Sequence, residues 1–192
     1  MHLAIAVGWL MSSAAMAVPA VPSAPVVSAE EASVMARGEV AFRYPGPFTI
    51  LSMVEVDAPP DKVIEAVIDL PPRIAENRGL ISYHPYADRP GYKAAKWEVG
   101  VSVYTLWLNL EYVWDTEEGW CSYGLDETKP SDMQKSEGWY RAVPYGTGSR
   151  LFYLGSAQGN YYVPEWLRKR ASTAATVDLM MGMKHRAESS VR

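Results

Sequence analysis

The sequence has a single cysteine, Cys121, and three histidines, His2, His84 and His185. One cysteine closes no internal disulfide and builds no cysteine-based zinc site. Three scattered histidines outline no metal centre. A basic excess is lacking as well: 18 Lys and Arg face 22 Asp and Glu, for a net charge of -4. That balance argues against a nucleic-acid partner, because neutralising phosphates needs a clear surplus of Lys and Arg. Catalytic signatures are missing too. There is no G-x-S-x-G, no H-E-x-x-H and no phosphate-binding glycine loop. Gly146-Thr147-Gly148 opens no helix and reads as a hairpin turn. No cofactor or metal is implied. Phenylalanine is scarce, three residues against twelve Tyr and seven Trp. Tyr and Trp join an apolar body to a polar tip, which suits a lined pocket or an interface as well as a core. With 48% hydrophobic residues over 192, the chain is too apolar for disorder and is sized for one globular domain.

Residues 1–29 carry no Asp, Glu, Lys or Arg. Leu3–Leu10 is an apolar run, and Ala15-Met16-Ala17 fits the A-x-A pattern that signal peptidase cuts, so residues 1–17 are expected to be an export signal. A membrane anchor needs roughly 20 continuous apolar residues, and Pro19, Pro22 and Pro25 interrupt the run before then. The expectation is therefore cleavage and a periplasmic or secreted protein, with residues 18–36 as a Pro/Ala-rich linker and 37–192 as the domain. A lone cysteine in that compartment is expected to be a buried free thiol.

The rest divides into strands, helices and turns. Phe48–Val56 alternates as a strand. Asp57-Ala58-Pro59-Pro60-Asp61 stops it and opens a helix over Lys62–Leu70, with Asp57 or Asp61 as its expected cap. Arg73–Asn77 forms a second short helix. Strands follow at Leu80–Ala87, Lys93–Ser102, Tyr104–Trp114, Trp120–Asp126, Lys135–Val143 and Arg150–Ser156. Pro164 then starts a long helix, from Glu165 to about Ser189. Strands joined by short turns form a meander. One of its faces must be covered, and the closing helix is the element long enough to do it. The expected fold is α+β: a curved antiparallel sheet wrapped around a long C-terminal helix, with two short helices after the first long strand.

Three stretches resemble a known family. Met53–Leu70 (MVEVDAPPDKVIEAVIDL) is similar to the opening strand and helix of the START-like superfamily, also called SRPBCC. Lys135–Gly155 (KSEGWYRAVPYGTGSRLFYLG) resembles its penultimate hairpin, and VPEWLRKR leading to KHRAE resembles its closing helix. The superfamily includes polyketide cyclases, coenzyme Q-binding proteins and lipid-transfer proteins. The resemblance implies the helix-grip fold, an exported bacterial-type member, and a hydrophobic ligand between sheet and helix. These motifs shape turns and packing, so they speak to fold more than to function.

Aromatic residues on the strands supply the candidate cavity: Trp97, Trp107, Tyr112, Trp139 and Tyr153. Asn109 joins them as a polar group that could fix a ligand's head. It shares a strand face with Trp107, while Leu106, Leu108, Leu110 and Tyr112 form the more apolar opposite face, which favours pointing Asn109 outward. In the closing helix Ala174 and Met181 lie near one face, a small residue leaving room and a soft one adapting to shape. His84 and His185 read as surface residues, and Cys121 has no basic neighbour to activate it.

The function these observations suggest is carrying or sequestering a lipid or isoprenoid-like molecule. Two alternatives stand beside it: a cyclase or aromatase-type enzyme, which needs an acid/base pair in the cavity, and an interaction module with a filled core. Residues 165–192 carry six Lys and Arg against three Asp and Glu, an excess that could meet anionic lipid at a membrane surface.

Overall fold

The computed structural model describes residues 21–101, 104–160 and 164–192. The expected signal segment, 1–17, lies outside the described residues. The elements are α1 (Ala29–Met35), β1 (Ala41–Gly46), β2 (Thr49–Val56), α2 (Pro60–Ile68), α3 (Arg73–Glu76), β3 (Leu80–Arg89), β4 (Tyr92–Val101), β5 (Tyr104–Asp115), β6 (Trp120–Leu125), β7 (Met133–Tyr145), β8 (Gly148–Gly159) and α4 (Glu165–Ser190). The eight strands form one antiparallel sheet in the order β1-β2-β8-β7-β6-β5-β4-β3. Chain neighbours pair throughout except at β2 and β8, where Thr49 faces Ser156 and Val56 faces Ser149. That one junction joins the first hairpin to the end of the meander.

Side-chain alternation sends one set of residues toward the helices. Trp97 from β4, Leu108, Leu110 and Tyr112 from β5, Cys121 from β6, Tyr140 from β7 and Leu151 from β8 share a core with Val63, Ile64 and Val67 of α2 and Met180, Met183 and Ala187 of α4. The helix α2 begins with Pro60 in its first turn, where a missing N–H costs nothing. Neither Asp57 nor Asp61 caps it; the cap position is Pro59, without a side-chain bond. The Asp57 N–H donates instead to Glu188 Oε1 at 3.0 Å, tying the end of α4 to the β2–α2 turn. In the β7–β8 turn Gly146 has φ +58, and a Cβ on Gly148 would overlap the Val56 carbonyl, so both glycines are required there.

The 18–36 linker needs correction. Its second half is the helix α1, opened by a capping box in which the Ser28 hydroxyl and the Glu31 carboxylate each accept a backbone N–H. The helix lays Met35, 1% exposed, on the outer face of the sheet, against Ala41, Leu51, Met53 and Phe152. The sheet is therefore covered on both sides near β1, β2 and β8. Arg43 Nε donates to Glu31 Oε1 at 2.8 Å and locks α1 to β1. This ion pair holds the Glu31 carboxyl at about 2, well below its ordinary 4.5.

Candidate ligand-binding cavity

The core does not fill the space beneath the middle of α4. A cavity of about 290 Å³ opens between β3–β8, α3 and α4. Its walls are mostly apolar: Leu80, Val99, Leu106, Leu108, Met133 and Leu179. Aromatic side chains make the rest. Trp97 packs on Tyr83 with ring centroids 4.8 Å apart. Tyr140 stacks on Tyr153 at 4.8 Å, and the hydroxyls of Tyr123 and Tyr153 meet at 2.9 Å. Room for those two hydroxyls comes from a glycine pair, Gly138 and Gly155, which face each other across β7 and β8. A Cβ on Gly138 would lie 2.8 Å from the Tyr123 hydroxyl, and one on Gly155 would overlap the end of the Tyr153 ring.

Among the described residues, one charged side chain enters this space. Arg73, 4% exposed, reaches the cavity from the first turn of α3. Its guanidinium lies 5.8 Å from the centre of the Tyr112 ring and 5.7 Å from that of Tyr140. Its Nη2 donates to the Val67 carbonyl, and its Nε has no acceptor among the described residues. Burial acts against its charge; Tyr140, Tyr112, Cys121 and Tyr153 outweigh this and leave its pKa raised. The charge attraction of those four groups exists only when they are ionised, and burial pushes each of them upward, the Cys121 thiol to about 12; as neutral side chains Tyr112 and Tyr140 still offer the cation their ring faces. At neutral pH, therefore, no described cavity group supplies a negative charge.

A second cavity, also about 290 Å³, adjoins the first and shares Asn77, Tyr153, Ala157 and Leu179 with it. Its outer rim is Tyr44 and Phe48 of the β1–β2 hairpin and Arg168 and Lys169 of α4. Arg168 sits 4.1 Å over the Phe48 ring.

Of the residues expected from sequence, Trp97, Tyr112 and Tyr153 line the first cavity. Trp107 and Asn109 do not. They lie on the outer face of β5, where Lys96 Nζ sits 3.7 Å over the Trp107 ring and Asn109 Nδ2 donates to the Pro130 carbonyl at 2.6 Å. Strand parity decides this, since the leucine face of β5 takes the core. Trp139 also points outward, into the second core beneath α1. Ala174 is exposed, and Met181 is half-buried at the edge of the main core. The face of α4 that meets the cavities carries Ala175, Thr176 and Leu179 instead. His84 and His185 are exposed. The candidate set expected from sequence left out Arg73, Tyr123, Tyr140 and Ser136. The three on strands were recoverable by parity, once Cys121 and Ala142 were assigned inward. Arg73 gave no signal, because a four-residue helix has no readable face.

No protein-family model and no curated protein matches the sequence. The fold does match solved structures. An aromatase/cyclase from Streptomyces sp. R1128 superposes with a TM-score of 0.62 at 15% identity, over 79% of this chain and 97% of that one. A START superfamily protein from Mycobacterium smegmatis gives 0.60 at 18%, over 74% and 98%. A STAR-related lipid transfer protein from Xanthomonas axonopodis gives 0.58 at 14%, over 80% and 92%. The chain has the START-like, or SRPBCC, helix-grip fold.

Proposed function

We propose that this protein carries or sequesters a hydrophobic small molecule, lipid or isoprenoid-like, in the cavity between the sheet and α4. The observation that carries this reading is the unfilled apolar space under α4, walled by leucines and stacked tyrosines. Burying ligand surface there is worth about 25 cal/mol per Å² before the costs of binding. The names of the structural neighbours, a lipid transfer protein and an aromatase/cyclase, agree with a hydrophobic ligand. An enzyme of the second kind needs a proton acceptor as well as a donor. The cavity offers Arg73 and tyrosines whose pKa values are raised by burial, which are donors at neutral pH. An interaction module would have a filled interior, which this domain lacks.

The same reading places the protein outside the cytoplasm, with residues 1–17 as its export signal, and brings it transiently to membranes. Trp166 and Leu167 are exposed beside Arg168, Lys169 and Arg170, close to the rim of the second cavity. Trp with Lys or Arg is the composition of an interfacial contact. Lys169 pairs with Glu165 but stays at the surface, whereas the later basic residues of α4 are largely buried in their contacts: Lys184 with Glu188 and the Glu55 carbonyl, Arg186 with Glu76 and the Ala66 carbonyl. The proposed contact thus belongs to the first turns of the helix, not to its whole length.

A fluorescence titration with the neutral probe N-phenyl-naphthylamine tests the cavity. The wild type binds it with a rise in emission, and Leu108→Trp, which fills the space, loses that binding while staying folded. Equal binding by both proteins contradicts the proposed site.

A further inference from the structure

We infer that the ligand is an acid: an amphiphile whose carboxylate is received by Arg73 in the cavity, with its tail along the leucine wall. This rests on the carrier reading above and specifies the ligand class. An arginine so deeply buried is normally matched by a carboxylate. Among the described residues no carboxylate lies within ion-pair distance of Arg73, although such pairs hold Glu31, Glu55, Glu76 and Glu188 elsewhere. Arg73 Nε is buried without an acceptor among the described residues. A ligand that brings an anionic acceptor satisfies it and neutralises the charge. A carboxylate suits the planar guanidinium edge, as Arg–carboxylate pairs do in general. A tail longer than the first cavity holds can continue into the adjoining one, which shares Asn77, Tyr153, Ala157 and Leu179 with it.

The alternative role for Arg73 is structural, as a brace between the Val67 carbonyl and two tyrosine rings. A brace has no preference among ligand head groups, so that preference is the readout. Dodecanoate, its methyl ester and dodecanol are compared as competitors of the neutral probe at pH 8, below their micelle concentrations. On the wild type the acid competes at least about tenfold more tightly than the ester, the scale of one charge-assisted hydrogen bond. Arg73→Met removes that ratio, acid and ester then competing about equally. Arg73→Lys, which keeps the charge, retains most of the ratio. If acid and ester compete equally on the wild type, the inference is overturned and the carrier reading survives. If the probe binds but dodecyl phosphate competes more tightly than dodecanoate, the carboxylate assignment is overturned. If neither the probe nor any competitor binds, the carrier reading itself fails and takes this inference with it. The decisive ratio is measured on the wild type, so a poorly folding Arg73→Met leaves the test intact.

Discussion

Gly155→Ala is a small change whose consequence can be worked from the structure. Gly155 faces Gly138 across the β7–β8 ladder, and the Tyr153 side chain folds back over it. An added methyl would overlap the end of the Tyr153 ring and lie 3.1 Å from the Tyr123 hydroxyl. The obstacle is a side chain rather than backbone, so the ring moves, and the space available to it is the cavity. Moving it breaks the 2.9 Å contact between the two hydroxyls and the stack on Tyr140. Overpacking of this kind costs about 1–3 kcal/mol. For a domain of 150–250 residues that lowers Tm by about 2–12 °C. Probe capacity falls as well, because Tyr153 borders both cavities. Tyr153→Phe alone leaves the Tyr123 hydroxyl without its partner and costs about 1–3 kcal/mol. Combined with Gly155→Ala it removes part of the overlap, so the double variant is less damaged than the two single losses predict, by about 0.5 kcal/mol or more. Thermal melts and probe titrations of all four proteins measure this. A Gly155→Ala protein with wild-type Tm and capacity, or strict additivity in the double variant, refutes the placement of Tyr153 over Gly155.

Further outcomes follow from other parts of the fold. The Arg43 ion pair depresses the Glu31 carboxyl to about 2 from an ordinary 4.5, so its stabilisation is fully present above 4.5 and is lost as pH falls through about 2. Glu31→Gln should cost about 1–2 kcal/mol at pH 7, and most of that difference should be gone at pH 2, in denaturant titrations followed by tryptophan emission; equal stability at pH 7 contradicts the docking of α1. The Cys121 thiol is fully buried and pushed up to about 12, so a disulfide reagent at pH 8 should modify it only after denaturation. Rapid labelling of the native protein would place it wrongly. Asn109→Ala should lower stability by about 1–2 kcal/mol, through the orphaned Pro130 carbonyl, and leave probe affinity unchanged.

The fold was largely legible because its strands alternate and its turns are punctuated by proline and glycine. The β5 strand is the clearest case: Leu106, Leu108, Leu110 and Tyr112 mark the inner face, and the structure puts them there. The same parity excluded Trp107 and Asn109, so including them in the candidate site set one polar side chain against the stronger signal of four apolar ones. Asn109 is buried all the same, because the 126–132 loop folds over the outer face and the Asn109 side chain holds it. Trp139 could not be placed without knowing that the outer face is covered too. That cover was visible in principle: Ser28 followed by Glu31 is a capping-box spacing, masked by the Pro/Ala-rich sequence before it. On α4 the small alanines suggested the wrong side, since Ala174 faces solvent while Thr176, Met180, Met183 and Ala187 face inward. Arg73 was illegible for a different reason. Its position depends on how α3 meets α2 and the sheet, which no local pattern encodes.

The central claim is that the space beneath α4 is filled by a hydrophobic ligand in the working protein. Native mass spectrometry of the chain from Val18 onward, purified without detergent and paired with analysis of its organic extract, tests this most directly. The account predicts a reproducible added mass that the extract identifies as a lipid or isoprenoid-like molecule, lost in Leu108→Trp. A clean unliganded mass, with no uptake from a panel of lipids and isoprenoids, would contradict it.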